Sequence, residues 1–471
     1  MKKIFLFVAF LFCSLVILGC SPGGDGPASQ SDTTPPTILS VSPLDIATDV
    51  SVSTTVVITF SEAMDTTSVE GAFSINPSVS GSVVWSNGNT VMTYTPDSEL
   101  GSNTNYTCTI ATTAQDSAGN ALESQYQWSW TTIATAAATS YFTYVVNYDS
   151  SNISVYNIMT TGALTPVQTL DTGTNPAGIA IDPSGKFAYV ANAGIDSVSV
   201  YTIDQTTGKL TLLETDTAEN YTFSVYVDPS GSFVYAANYV TDDSISVYKI
   251  GATGALTSVE TKDAGTSPIS VVVDPTGKFL YVANYGSNNI SVYTINSSTG
   301  ALTVVGTAVA AGTSPFSVTV DPSGKFLYAA NYESHNISVY SINTTTGALT
   351  LVETETATGA YPAGIAVDPT GSFAYMANSA NGGPGNVWVY KIETTGELTA
   401  VGTPIAAGTG PDSITLDPTG TFVYVANGGS GNISAYKIGT TGALTAVGTP
   451  IAAGNGPRFI TTATIPTVID E

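Results

Sequence analysis

Ser267–Thr307 reads SPISVVVDPTGKFLYVANYGSNNISVYTINSSTGALTVVGT, and this stretch decides the fold. Its apolar runs SPISVVV, KFLYVAN, ISVYTI and ALTVVGT are rich in Val, Ile, Tyr and Phe. Between them stand DPTG at Asp274–Gly277, the loop YGSNN, and STG ending at Gly300. Each of these breaks is made of residues that supply a turn geometry, so the stretch predicts four strands joined by tight connections. In the second strand Phe279 and Tyr281 fall on one face, Leu280 and Val282 on the other. A sheet with one wet face would alternate with polar residues. Apolar groups on both faces belong to a sheet packed between two others.

The unit recurs. Its second strand appears as YVVN, YVAN, YAAN, YVAN, YAAN, YMAN and YVAN, ending at Asn147, Asn192, Asn238, Asn284, Asn331, Asn378 and Asn427, with spacings of 45, 46, 46, 47, 47 and 49 residues. A repeat this long, built from short strands, matches a propeller blade and is too large for a solenoid rung. The Thr-Gly turn also occurs seven times, at Gly162, Gly208, Gly254, Gly300, Gly347, Gly396 and Gly442. The Asp-Pro turn occurs six times, at Asp182, Asp228, Asp274, Asp321, Asp368 and Asp417. The shortfall has a reason: the region opens inside a blade, at YFTYVVN, and closes on a lone first-strand equivalent, PRFITTAT from Pro457. A last strand that completes the first blade joins both ends of the ring in one sheet and leaves no open seam. The expectation is a seven-bladed β-propeller over residues 141–466.

Residues 35–133 lack this period but also read as β, with runs TILSVSP, TTVVITF, GAFSIN, SVVWS, TVMTYTP, YTCTIAT and YQWSWTT. Seven short strands in such a span suggest an antiparallel sandwich. The segment TPPTILSVSPLDIATDVSVSTTVVITFSEAMD, with the later TYTP, NYTCTI, DSAGNAL and WSWTT, resembles the bacterial Ig-like domain of surface and S-layer proteins. The fold class is therefore all-β: a seven-bladed β-propeller preceded by an Ig-like β-sandwich. Glu62, Asp65 and Asp116 of this segment are conceivable cation ligands, although DSAGN around Asp116 is a sound turn without an ion.

Before the sandwich, MKKIFLFVAFLFCSLVILGC places two lysines ahead of an apolar run from Ile4 to Leu18, the layout of a secretory signal peptide over residues 1–19. Its ILGC ending resembles a bacterial lipobox, which implies lipidation at Cys20, and Ser21 after it implies outer-membrane sorting. Residues 20–34 read as a flexible linker and 134–140, ATAAATS, as a short second one. With Cys13 lost in the leader and Cys20 anchored, Cys108 in YTCTI has no partner and reads as a small buried hydrophobe. The expected location is extracytoplasmic, in the cell envelope, with a lipid-anchored attachment to the outer membrane or cell surface.

Charge narrows the partners. The chain carries 11 Lys and Arg against 36 Asp and Glu, a formal net charge of −25, and Lys2 and Lys3 depart with the leader. Nucleic acid is excluded as a partner, because phosphate binding requires clustered cations. The repeats, for example DPTGKFLYVANYGSNNISVYTINSSTGALT, resemble YVTN-type surface repeats and are similar to the seven-bladed lactonase family, which includes 6-phosphogluconolactonase-like propellers. That resemblance implies the ring and opens the expectation of a lactone hydrolase. The matching residues are strand and turn residues, so they carry the fold.

Loops entering the first strand and loops between the second and third share one mouth of the channel. Three unusual residues fall there: His335, the single histidine, in NYESHN, and Asp412 and Arg458, each directly after the proline that opens a first strand. The corresponding places elsewhere hold Ala177, Ile269, Phe316 and Ala363. Asp412 and Arg458 lie in blades adjacent across the closure, so an ion pair between them is expected, either as a seam contact or as an anion-recognising Arg held by a carboxylate. Glu333 shares that face. Asp242 and Asp243 are weak candidates for a divalent cation, and no other cofactor is expected. One Arg and one His fall short of the cationic groups and general base that a phosphorylated lactone would require. The sequence thus favours a non-catalytic, lipid-anchored protein whose Ig-like stalk displays a ring that binds a protein, glycan or envelope component. A lactonase-like hydrolase and a structural surface component are the alternatives.

Overall fold

The computed structural model describes residues 32–466 apart from 134–138, 218–220, 241, 357–358 and 360. The expected signal segment, Cys20 and most of both expected linkers lie outside the described residues. The chain divides into two compact units, Met1–Ala136 and Ala137–Glu471.

The first unit is a two-sheet sandwich. One sheet orders Ile38–Ser42, Val56–Phe60, Val91–Pro96 and Gly81–Ser86; the other orders Ala47–Val50, Tyr126–Thr132, Asn105–Ile110 and Phe73–Asn76. All seven strands read from the sequence are present. Two elements were not foreseen, the short strand Ala47–Val50, which runs parallel to Tyr126–Thr132, and the helix Thr66–Ala72. Neither carries an apolar period long enough to announce itself. Alternation on the strands buries Val56, Ile58, Phe60, Met92, Cys108, Ile110, Trp128 and Trp130 between the sheets. Cys108 is fully enclosed, and burial pushes its thiol up to about 12.

The second unit is a ring of seven four-stranded sheets, three of which carry an added short strand. Pro457–Pro466 pairs antiparallel with Thr139–Asn147, from Pro457 opposite Asn147 to Pro466 opposite Thr139, so the C-terminal strand completes the first blade. Blades four, six and seven break their fourth strand at Gly306, Gly402 and Gly448, all at positive φ, and resume as Val309–Ala310, Ile405–Thr409 and Ile451–Ala452.

Repeated side chains explain why the blades stack. In each second strand a buried tyrosine donates its hydroxyl to the carbonyl of the Thr-Gly turn in the following blade. Tyr144 reaches Gly208 at 3.0 Å, Tyr235 reaches Gly300 at 3.1 Å, and Tyr424 reaches Gly162 of the first blade at 3.0 Å, so the series runs around the ring. The phenylalanine two residues before each tyrosine packs against the same glycine, as Phe233 does on Gly300. The Asp-Pro turns are held from within. Asp274 Oδ1 accepts from the backbone N–H of Lys278 and Phe279, both at 2.7 Å, and Oδ2 accepts from Thr276 N at 3.1 Å and from the Thr276 hydroxyl.

The seven strand-ending asparagines are buried inside the blades and do not form a polar ring around the channel. Asn284 Nδ2, for instance, donates to Asn289 Oδ1 at 2.8 Å and Ser291 Oγ at 2.9 Å on the third strand.

Candidate functional site

The first strands wall a central channel with a cavity of about 560 Å³, within the range of small-molecule sites. At one mouth the residue after the strand-opening position points inward, and here the blades differ. Asp412 and Arg458 stand at this place on neighbouring first strands, with Arg458 Nη1 3.5 Å from Asp412 Oδ2. The Arg458 side chain does not stop there. Its guanidinium carbon lies 5.1 Å from the ring centroid of Phe223 and 5.5 Å from that of Phe316, in the third and fifth blades. Both distances are within cation–π range, so the side chain of the first blade crosses the mouth and rests on aromatic faces opposite.

Those two rings belong to a larger crescent. Phe223 and Phe316 meet edge to face at 6.5 Å. Tyr239 packs on Phe223 at 5.6 Å, Tyr285 on Phe316 at 6.2 Å, and Tyr332 on Phe316 at 5.5 Å. Tyr221 and Tyr361 extend the row at its two ends, 5.9 Å from Tyr239 and 5.0 Å from Tyr332. Tyr148 and Tyr221 share a hydroxyl–hydroxyl hydrogen bond of 2.6 Å, and burial followed by that bond raises the Tyr148 phenol to about 12. All these rings are half-buried, and Phe223 and Phe316 line the channel cavity itself.

The crescent was not identified from the sequence. Its signal is there: Asn-Tyr closes the second strand at 147–148, 238–239, 284–285 and 331–332. Tyrosine is also a good strand and turn residue, so the repeat hides its second role.

Electrostatically the mouth is a loose pair in a poorly solvated place. Burial raises the Asp412 carboxyl, and Arg458 offsets that in part. Among the described residues Arg458 is the one polar partner recorded for Asp412, at a distance long for a charge-assisted bond.

The other residues singled out from sequence play different parts. His335 sits in left-handed backbone, φ +55°, and its Nδ1 accepts from the backbone N–H of Tyr361 at 3.0 Å. Asp243, at φ +46°, accepts from Ser267 N at 2.7 Å in the same way, as do Asp196 from Tyr221 N at 2.8 Å and Asn288 from Ser314 N at 2.7 Å. These side chains tie the loop of one blade to the entry of the next, and the His335 ring also packs edge to face on Tyr361 at 4.4 Å, so it stands beside the aromatic crescent. Glu333 is exposed and Asp242 half-buried. Among the described residues, Asp242, Asp243 and Glu333 do not gather as a metal-ligating set. Among the described residues, the one group of three whose ligand atoms lie within 4.8 Å of one another is Asp32, Glu62 and Asp116 in the first unit. There Asp65 drops out, because it caps the helix Thr66–Ala72, accepting from Thr67 N at 3.0 Å and Ser68 N at 3.2 Å. Asp116 is occupied by its own turn, accepting from Ala118 N, Asn120 N and Asn120 Nδ2, each at 2.8 Å.

A closed ring of seven four-stranded blades, its last strand completing the first, defines a seven-bladed β-propeller. The family model described as lactonase, seven-bladed β-propeller, matches residues 90–226, 133–273, 215–316, 267–361 and 353–460, and the chain belongs to that family. The bacterial Ig-like domain model matches residues 32–132. Among solved structures, the chain is similar to a Bacteroides uniformis protein provisionally described as a 6-phosphogluconolactonase, with 22% identity, 69% of this chain and 99% of the other covered, and a TM-score of 0.63. It is similar to a like-described protein of Bacteroides fragilis at 24% identity, with 70% and 99% covered and a TM-score of 0.62. The periplasmic gluconolactonase of Pseudomonas aeruginosa aligns at 19% identity, with 70% and 100% covered and a TM-score of 0.62. At these identities the likeness shows the fold. No curated protein matches the chain.

Proposed function

We propose that this is a lipid-anchored, extracytoplasmic binding protein, in which the Ig-like unit serves as a stalk and the channel mouth of the propeller takes a glycan or other envelope component. The observation that carries the reading is the crescent of half-buried aromatic faces around Arg458. Flat rings with hydroxyl tips offer apolar contact and hydrogen bonding together, which suits a ligand having apolar faces and polar edges. The ILGC ending at Cys20 supports the anchor, and the strongly acidic composition suits a soluble domain outside the cytoplasm. Capture of glycan or envelope material by the full chain, compared with a Phe223→Ala, Phe316→Ala double variant of unchanged melting temperature, tests it. Equal capture by both proteins would refute the mouth as the site.

Lactone hydrolysis is the second reading, favoured by family membership and by the Asp412–Arg458 pair. A carboxylate raised by burial is suited to activate water, and the guanidinium beside it to hold the oxyanion that develops on a lactone carbonyl. Turnover of a lactone panel, abolished in Asp412→Asn and unaffected by removing divalent cations, would establish this reading over the first.

A further inference from the structure

We infer that the mouth recognises a sugar bearing a single carboxylate, a hexuronic acid either free or at the end of a glycan, an inference that rests on the binding reading above. Two features of the site lead to this class. Arg458 reaches the centre of the mouth held on three sides, by Asp412 at 3.5 Å and by the faces of Phe223 and Phe316 at 5.1 and 5.5 Å. A guanidinium presents five N–H donors in a planar fork, and a single long contact to Asp412 leaves most of that fork for a ligand. Its planar complement is a carboxylate, taken through two parallel bonds.

Around this cation the wall is aromatic with phenolic tips. Tyr148 and Tyr221 carry hydroxyls that already bond to each other at 2.6 Å, and each keeps hydrogen-bonding capacity for a further group. A pyranose stacks its C–H face on such rings and turns its hydroxyls to such tips, whereas an aryl acid would leave the hydroxyls unused.

The single arginine of the chain sets the number of carboxylates, and the net charge of −25 argues against more. At long range this protein repels anions, so recognition must come from the local fork, and a polyanion would lose more than one Arg returns. One carboxylate per bound end is what the site accommodates.

Isothermal titration of the full chain tests this with four probes: free glucuronic acid, a neutral trisaccharide capped by one glucuronic acid, its carboxyl-reduced form, and free glucose. The acids should bind, and the reduced forms should bind at least about tenfold more weakly, the loss of charge-assisted bonds to Arg. Arg458→Gln should remove that preference while leaving the weak neutral binding in place. Arg458→Lys, which keeps the charge without the fork, should fall between, and melting curves of both variants check that the ring is intact. Tighter binding of the capped trisaccharide than of glucuronic acid assigns the glycan end as ligand; the reverse assigns the free acid. Equal binding of acid and reduced forms, unchanged in Arg458→Gln, overturns the carboxylate and leaves the mouth as a neutral-glycan site. No binding by any probe overturns the hexuronic acid, and the capture comparison with the Phe223→Ala, Phe316→Ala variant decides the binding reading separately.

Discussion

Asp412 carries a carboxylate on a wall where water has limited access, and its recorded partner is a single guanidinium nitrogen at 3.5 Å. Burial raises its folded titration above the ordinary 3.8, so protonation is favoured more in the folded state than in the unfolded one. The resulting contribution to stability is fully present below 3.8 and is lost as pH rises through the folded value. Asp412→Asn has no such loss, and its stability relative to the parent should therefore climb with pH across the acid range. Urea midpoints from about pH 3 to about pH 7 read this directly, and a difference that stays flat with pH would contradict it. At this scale the sequence exposed Asp412 and Arg458, because they break a position otherwise filled by Ala, Ile or Phe. For His335 the sequence showed a rarity and not the structural part it plays. The residue does what Asn288 and Asp196 do in other blades, and only the bond to Tyr361 N reveals that.

The element that the repeats share is the blade with its locked Thr-Gly turn. Gly300 has φ +76° and lies under the Phe233 ring, where a Cβ would collide. Gly306, at φ +62°, has nothing within 4 Å of a Cβ. Alanine at either position carries the left-handed backbone strain of roughly 1 kcal/mol. Gly300→Ala must in addition displace the aromatic ring, and should cost about 1–3 kcal/mol more than Gly306→Ala. Thermal unfolding of the two variants separates strain from collision; equal shifts would show that the Phe233 stack is not what requires glycine. The turn glycines were legible as turns. Their partners were not, since Phe233 belongs to the preceding blade and stands far from Gly300 in the chain.

For the whole ring the decisive contact is Pro457–Pro466 beside Thr139–Asn147. Without it the first blade would have three strands and an open edge, available for pairing with another molecule. A chain ending at Asn455 should lose the cooperative melting of the propeller and associate on size-exclusion chromatography. An unchanged melting temperature with a monomeric profile would mean the closure adds nothing.

Blade number, turn positions and the closing strand were determined by sequence alone. They rest on local propensity repeated at a near-constant period, and repetition averages away the ambiguity of any one strand. The mouth was decided by tertiary structure. Closing seven sheets into a ring brings Arg458 onto Phe223 and Phe316 although these lie more than a hundred residues away along the chain. A periodic text records that Phe316 and Arg458 occupy equivalent positions, but the distance a side chain spans across a channel depends on the diameter of the ring and on which neighbours are small enough to let it pass.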